Sequence, residues 1–185
     1  MPLKCLVLDL MPKGESPHEG QIVKWHIKNM GWDVRPVFKP NKDYFLKKLF
    51  NAHDCQFIHL SAHATPDSLK SGRQGRSFIT TDEISDYFRN RLAIDDTRLD
   101  KTKLVLNSGC NTFSKEWYEL FVDKLHAKHY IGARDEPTIA EGIMFPLLIY
   151  TNMWGQKKKP RVSEAFKKAK HSMRLESKWA IHPKS

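Results

Sequence analysis

The sequence predicts an α/β fold: a mainly parallel sheet with helices on both faces. Three observations carry this. Short apolar runs of strand length alternate with segments whose apolar residues recur at helical spacing, the pattern of consecutive strand–helix–strand units. The apolar content is 40% and the aromatic content 11%, enough for a packed core and too much for a disordered chain. At 185 residues the chain has the size of one domain, taken as 1–175, with a basic tail over 176–185.

The elements follow in order. Leu3–Leu10 reads as a buried strand. Gly20–Gly31 carries Ile22, Val23, His26 and Met30 near helical spacing and closes on Gly31, a C-terminal cap. Asp33–Phe38 is a second strand, and Pro36, which cannot donate to a ladder, puts it at the sheet edge. Tyr44, Phe45, Leu46, Leu49 and Phe50 mark a helix, and Cys55–Ser61 a third strand. Thr65–Arg76, with Pro66, Ser68, Ser71, Gly72 and Gly75, has the composition of a mobile loop. Thr80 and Glu83 form a capping box ahead of Ile84, Tyr87 and Phe88. Lys103–Asn107 is a fourth strand. Ser114 caps a helix with Trp117, Leu120, Phe121 and Leu125 on one face. His129–Ala133 is a fifth strand, Thr138–Trp154 a helix kinked at Pro146, and Ser163–Met173 a last helix.

Composition narrows the function classes. Met1–Leu10 is broken by Asp9 and is not a signal peptide. The longest apolar run, Ile143–Tyr150, falls short of the roughly 20 residues of a membrane span. Three cysteines are too few for a secreted disulfide scaffold and suit a reducing compartment. The expectation is a soluble, cytoplasmic protein without membrane association. The net charge is +10, and the last 31 residues hold ten basic and two acidic side chains. Such a segment attracts nucleic acid or an acidic partner, but Phe166 and Trp179 are too sparse for a base-stacking platform, so a solvated surface is the favoured reading.

In a parallel sheet of this kind, sites form at the carboxyl ends of the strands. The third strand runs into Ser61-Ala62-His63 and the fourth into Ser108-Gly109-Cys110, so a histidine and a cysteine leave two strands at one edge. A Cys–His pair serves as nucleophile and base. The thiolate attacks, and a nearby imidazolium or a helix N-terminus favours it. Backbone N–H groups in the Gly109-Cys110-Asn111 turn can form an oxyanion hole. The competing reading makes Cys110 a small buried hydrophobe and His63 a satisfied loop histidine. His59 lies four residues before His63, roughly 13 Å away along a strand, too far to share a metal. It reads as a core or supporting histidine, and no metal or cofactor is expected. A glutamine amidotransferase has a similar strand–helix order, but its cysteine precedes its histidine.

Two motifs resemble a known family. Phe57-Ile-His-Leu-Ser-Ala-His63 is similar to the histidine motif, and Leu104-Val-Leu-Asn-Ser-Gly-Cys-Asn-Thr112 to the cysteine motif, of the CHAT domains of the caspase–separase group of cysteine peptidases. Tyr130–Ala133, the helix after Pro137 and Ser163-Glu-Ala-Phe166 fit that family's closing strand and last helices. The resemblance runs from about Cys55 to Met173. It implies a caspase-like three-layer sandwich and an endopeptidase in which Cys110 is the nucleophile, His63 the base, and the backbone amides of Cys110 and Ala64 the oxyanion hole. It also implies a protein or peptide substrate and a separate regulatory partner. The rival implication is an inactive caspase-like interaction module.

Three positions depart from the family pattern. Ala64 stands where glycine is usual, Gly109 where alanine is usual, and Phe113 where a small residue is common. Ala64 is expected to resist a backbone geometry that glycine permits. Ser108 occupies the place where related peptidases carry an acid selecting basic substrate residues. Asp135 and Glu136 fit a pocket for lysine or arginine, and Arg134 fits one for an acid.

Overall fold

The structure is a computed structural model and describes residues 2–12, 19–71, 77–92, 99–154, 161–174 and 178–183. Six strands form the main sheet: β1 (Lys4–Asp9), β2 (Asp33–Phe38), β3 (Phe57–Ser61), β6 (Leu104–Asn107), β7 (Tyr130–Ala133) and β8 (Trp179–His182), in the order β2-β1-β3-β6-β7-β8. All neighbours run parallel except β8, which pairs antiparallel with β7. β4 (Ser68–Ser71) and β5 (Ser77–Thr80) make a separate antiparallel pair.

Pleating divides the core into two layers. Leu6, Leu8, Ile58, Leu60, Val105 and Tyr130 face one side, where they meet α2 (Lys42–Phe50), α3 (Thr81–Arg89) and α4 (Lys115–Tyr118). Cys5, Val7, Phe57, Leu104, Leu106 and Ile131 face the other, under α1 (Glu19–Asn29), α5 (Ile139–Trp154) and α6 (Val162–Met173). The result is the three-layer α/β sandwich expected, with helices on both faces. No helix of the described residues is long and apolar enough to cross a membrane.

Local chemistry explains the element ends. Gly31 terminates α1 with φ +79°, a conformation open to glycine. The capping box at α3 is formed in full, Thr80 Oγ1 accepting from Glu83 N while Glu83 accepts from Thr80 N. Pro36 lies in the edge strand β2, as its missing N–H requires. α5 runs on through Pro146.

Two expectations are corrected. Within Thr65–Arg76, Ser68–Ser71 is a strand, because Leu69 and Ile79 are fully buried across the β4–β5 pair; residues 72–76 lie outside the described set. In the segment read as a tail from 176, Trp179–His182 is the closing edge strand. Trp179 is 1% exposed and stacks on Phe145 at 4.4 Å between ring centroids. The cluster Lys157, Lys158 and Lys159 lies outside the described residues. The helix opening at Ser114 also differs from a plain α-helix. After four α-helical residues it continues over Glu119–Lys124 as a π-helical stretch, while Trp117, Leu120, Phe121 and Leu125 stay buried as their spacing predicts.

Candidate active site

β3 and β6 are adjacent and in register, with Leu60 opposite Asn107. Their carboxyl ends therefore deliver His63 and Cys110 from neighbouring loops, and both line one cavity of about 350 Å³. That size is within the range of small-ligand sites. Its walls come from five places: Met11 after β1, Glu19 on α1, Ala62 and His63 after β3, Ser108–Cys110 after β6, and Pro137, Thr138, Ile139, Gly142 and Ile143 around the start of α5. Glu19, at the head of α1, is a lining residue that the sequence analysis did not single out.

The cysteine turn is tied down from every side. Ser108 N and Ser108 Oγ both donate to Leu60 O, each at 3.0 Å. Gly109 N donates to Asn107 Oδ1 at 3.2 Å. Asn111 takes the left-handed conformation, φ +54°, which asparagine tolerates, and its N–H donates to Asp135 O at 2.9 Å. Thr112 is fully buried. Its hydroxyl lies 2.9 Å from Gly109 O and accepts from Ala133 N at 3.1 Å, while Tyr130 Oη donates to Thr112 O at 2.8 Å. Gly132 allows this approach: a Cβ there would fall 2.8 Å from Thr112 C and O.

The histidine loop is stitched to β4 and to the start of α4. Lys70 N donates to His63 O and Thr65 N to Ser68 O, both at 2.8 Å, which makes Ala64 and Leu69 a bridge between these bonds. In that pattern the Ala64 N–H points away from Leu69. Trp117 Nε1 donates to Thr65 O at 3.1 Å, and Ser114 Oγ donates to Pro66 O.

The two departures at 64 and 109 prove to be one feature. Ala64 is absent from the residues with positive φ, so alanine carries no backbone penalty there, contrary to the sequence expectation. A Cβ added at Gly109 would lie 2.6 Å from Ala64 Cβ and 2.8 Å from Ala62 O. The methyl group that Ala64 adds occupies the space that Gly109 leaves. Phe113, the third departure, packs under the Arg134 guanidinium at 5.5 Å and against Tyr118.

The electrostatics of Cys110 are not those expected of a resting thiolate. Burial pushes its thiol up from the ordinary value, and Glu136 and Asp135 act in the same direction, against its own backbone N–H and Lys70. The helix that follows Cys110 begins only at Lys115, and its end potential falls off within the first turn. Cys5 and Cys55 are buried, with thiols pushed up chiefly by burial, Cys55 to about 11.

The remaining residues named from sequence divide. Ser108 lines the cavity, whereas Arg134, Asp135 and Glu136 lie on an exposed segment and are not among its lining residues. Asp135 and Glu136 still act on Cys110 through charge. His59 is fully buried, with Nε2 2.9 Å from Glu19 Oε1 and Nδ1 3.2 Å from Tyr150 Oη. Ser61 Oγ donates to Glu19 Oε2 at 3.0 Å.

No protein-family model matches this chain. No curated protein matches it significantly either.

Proposed function

We propose that the protein is a cysteine endopeptidase of CHAT-like, caspase-like type. The observation that supports this best is the delivery of His63 and Cys110, from adjacent parallel strands, to the wall of one cavity. In this reading Cys110 Sγ attacks the carbonyl carbon of a peptide bond. His63 takes the thiol proton and passes it to the leaving amine, and water then hydrolyses the thioester. The amides of Cys110 and Ala64 receive the oxyanion. The strand order with an antiparallel closing strand is compatible with the caspase-like sandwich named from the motifs.

In this reading a separate regulatory protein partner switches the site on in a reducing, cytoplasmic setting. The raised Cys110 thiol leaves less thiolate near neutral pH and favours a second reading, an inactive interaction module of the same fold. Incubation with a broad peptide library, alone and with captured partners, separates the two. The peptidase cleaves, and Cys110→Ala and His63→Ala both lose cleavage while keeping the wild-type circular dichroism spectrum. A folded wild type that cleaves nothing, or variants as active as the wild type, refutes the peptidase reading.

A further inference from the structure

The cavity beside Cys110 and His63 has apolar walls. Met11, Ala62, Pro137, Ile139 and Ile143 all line it. Its carboxylate, Glu19, is already engaged: Oε1 lies 2.9 Å from Nε2 of the fully buried His59, and Oε2 accepts from Ser61 Oγ at 3.0 Å. The charged residues after β7, Arg134, Asp135 and Glu136, are not among the lining residues. Ile139 is 64% exposed, so the apolar wall reaches the surface, where an incoming chain can cover it. Gly142 shapes the space. It lies inside α5, its N–H donating to Thr138 O at 2.8 Å, and its φ is not positive. A Cβ there would meet Glu19 Oε2 at 4.0 Å and, among the described residues, nothing nearer. Neither the backbone conformation nor a close contact calls for glycine, which after proline is the poorest helix former. The missing side chain leaves room in the cavity.

We infer that this cavity takes an uncharged aliphatic side chain, such as that of leucine or methionine, seated over Gly142 against Met11 and Ile143, and that it excludes lysine, arginine and aspartate. The apolar recognition rests on the cavity alone; that the side chain belongs to the substrate residue beside the bond cut rests on the peptidase reading above. The physical case is one of solvation. Aliphatic surface moved from water to the apolar wall gains free energy. A cation would give up its water for a carboxylate that His59 and Ser61 already occupy. An acid would lose its water and meet the Glu19 carboxylate as well.

The test uses the full chain and two pairs of similar shape, norleucine against lysine and leucine against aspartate. Iodoacetamide alkylation of Cys110, read by mass spectrometry, is timed with the N-acetyl methylamide of each. Cleavage is timed on peptides that differ only in these residues, or in alanine, before the scissile bond. The norleucine and leucine amides should slow alkylation and their charged counterparts should not. The norleucine and leucine peptides should be cut at least about tenfold faster than the lysine and aspartate peptides. Gly142→Leu, which fills the space, should abolish the protection and lower the norleucine-to-alanine rate ratio at least about tenfold. Gly142→Ala, which a helix accepts, should lower both by a smaller factor and covers the case in which Gly142→Leu does not fold. A preference for the charged member of either pair, equal effects within the pairs in both assays, or protection and ratios that both variants leave unchanged overturns the inference. Protection by the apolar amides with no peptide cut upholds the apolar cavity and overturns the peptidase reading instead.

Discussion

Gly109→Ala probes the complementarity of positions 64 and 109. The new Cβ would stand 2.6 Å from Ala64 Cβ, 2.8 Å from Ala62 O and 3.2 Å from Thr112 Cγ2. Two of these three contacts are far inside van der Waals distance, and neighbouring backbone supplies one of them. Overpacking of a tight site costs about 1–3 kcal/mol. The upper half of that range applies, because the turn is held on Leu60, Asn107 and Ala133 and has little freedom to shift. Ala64→Gly alone costs only about 0.4–1 kcal/mol through the unfolded chain. Combined, the two changes interact: the 2.6 Å contact disappears, while the one to Ala62 O persists. The double variant should therefore be more stable than the sum of the single effects by about 1 kcal/mol, against the 0.3–0.5 kcal/mol within which independent sites add. Urea unfolding followed by tryptophan fluorescence measures all four proteins. Additivity within that error would refute the idea that the methyl of Ala64 fills the space of Gly109.

Other perturbations test other parts of the account. Because burial and then Glu136 raise the Cys110 thiol, its alkylation rate should rise with pH to a midpoint above the ordinary thiol value, and Glu136→Gln should move that midpoint down; an unshifted midpoint in the variant contradicts the charge assignment. Cys110 should still label before Cys5 and Cys55, which are buried, in a timed mass-spectrometric assay. Trp179→Ala should cost about 3–5 kcal/mol in denaturant titration, as expected for a large buried aromatic, where a true solvated tail would show almost nothing. Asp54 is held well below the usual carboxylate range by hydrogen bonds from Arg35 and then Lys4. Its contribution is present above the unfolded value of about 3.9 and fades as the pH falls towards the folded one, so Asp54→Asn should reduce stability at neutral pH and leave it nearly unchanged at the acid end of a pH–melting series.

Much of this architecture is legible in the sequence because each main strand but one is an apolar run bounded by turn chemistry. Pro36 announces its edge, and Thr80 with Glu83 announces the start of α3. The exceptions share a cause. Ser68–Ser71 contains one apolar residue, Leu69, and becomes a strand only through its partner at Ser77–Thr80. Trp179–His182 is four residues long in a basic stretch, and its pairing with Tyr130–Ala133 is a tertiary event. The change from α to π geometry at Glu119 has no local signal of the kind that Gly31 or Ser114 supplies.

The site divides in the same way. His63 and Cys110 are readable because strand ends are readable. Glu19 was not, since a lone acid before a helix is an ordinary first-turn residue until the fold sets it against His59 and Ser61. Ala64 and Gly109 were visible only as separate departures from a motif. Their mutual dependence needs the distance between them. The sign of the Cys110 shift was also out of reach, because it depends on how deeply the turn is buried and on where Glu136 stands.

The most direct measurement of the central claim is covalent trapping. Protein is incubated with a peptidyl acyloxymethyl ketone carrying leucine next to the warhead, and the adduct is located and timed by mass spectrometry. The pairing of His63 with Cys110 predicts a single adduct on Cys110, none on Cys5 or Cys55, and a rate at least about 10²-fold lower in a folded His63→Ala variant. No adduct on Cys110 in the presence of the regulatory partner, or an equal rate in His63→Ala, would contradict the pairing.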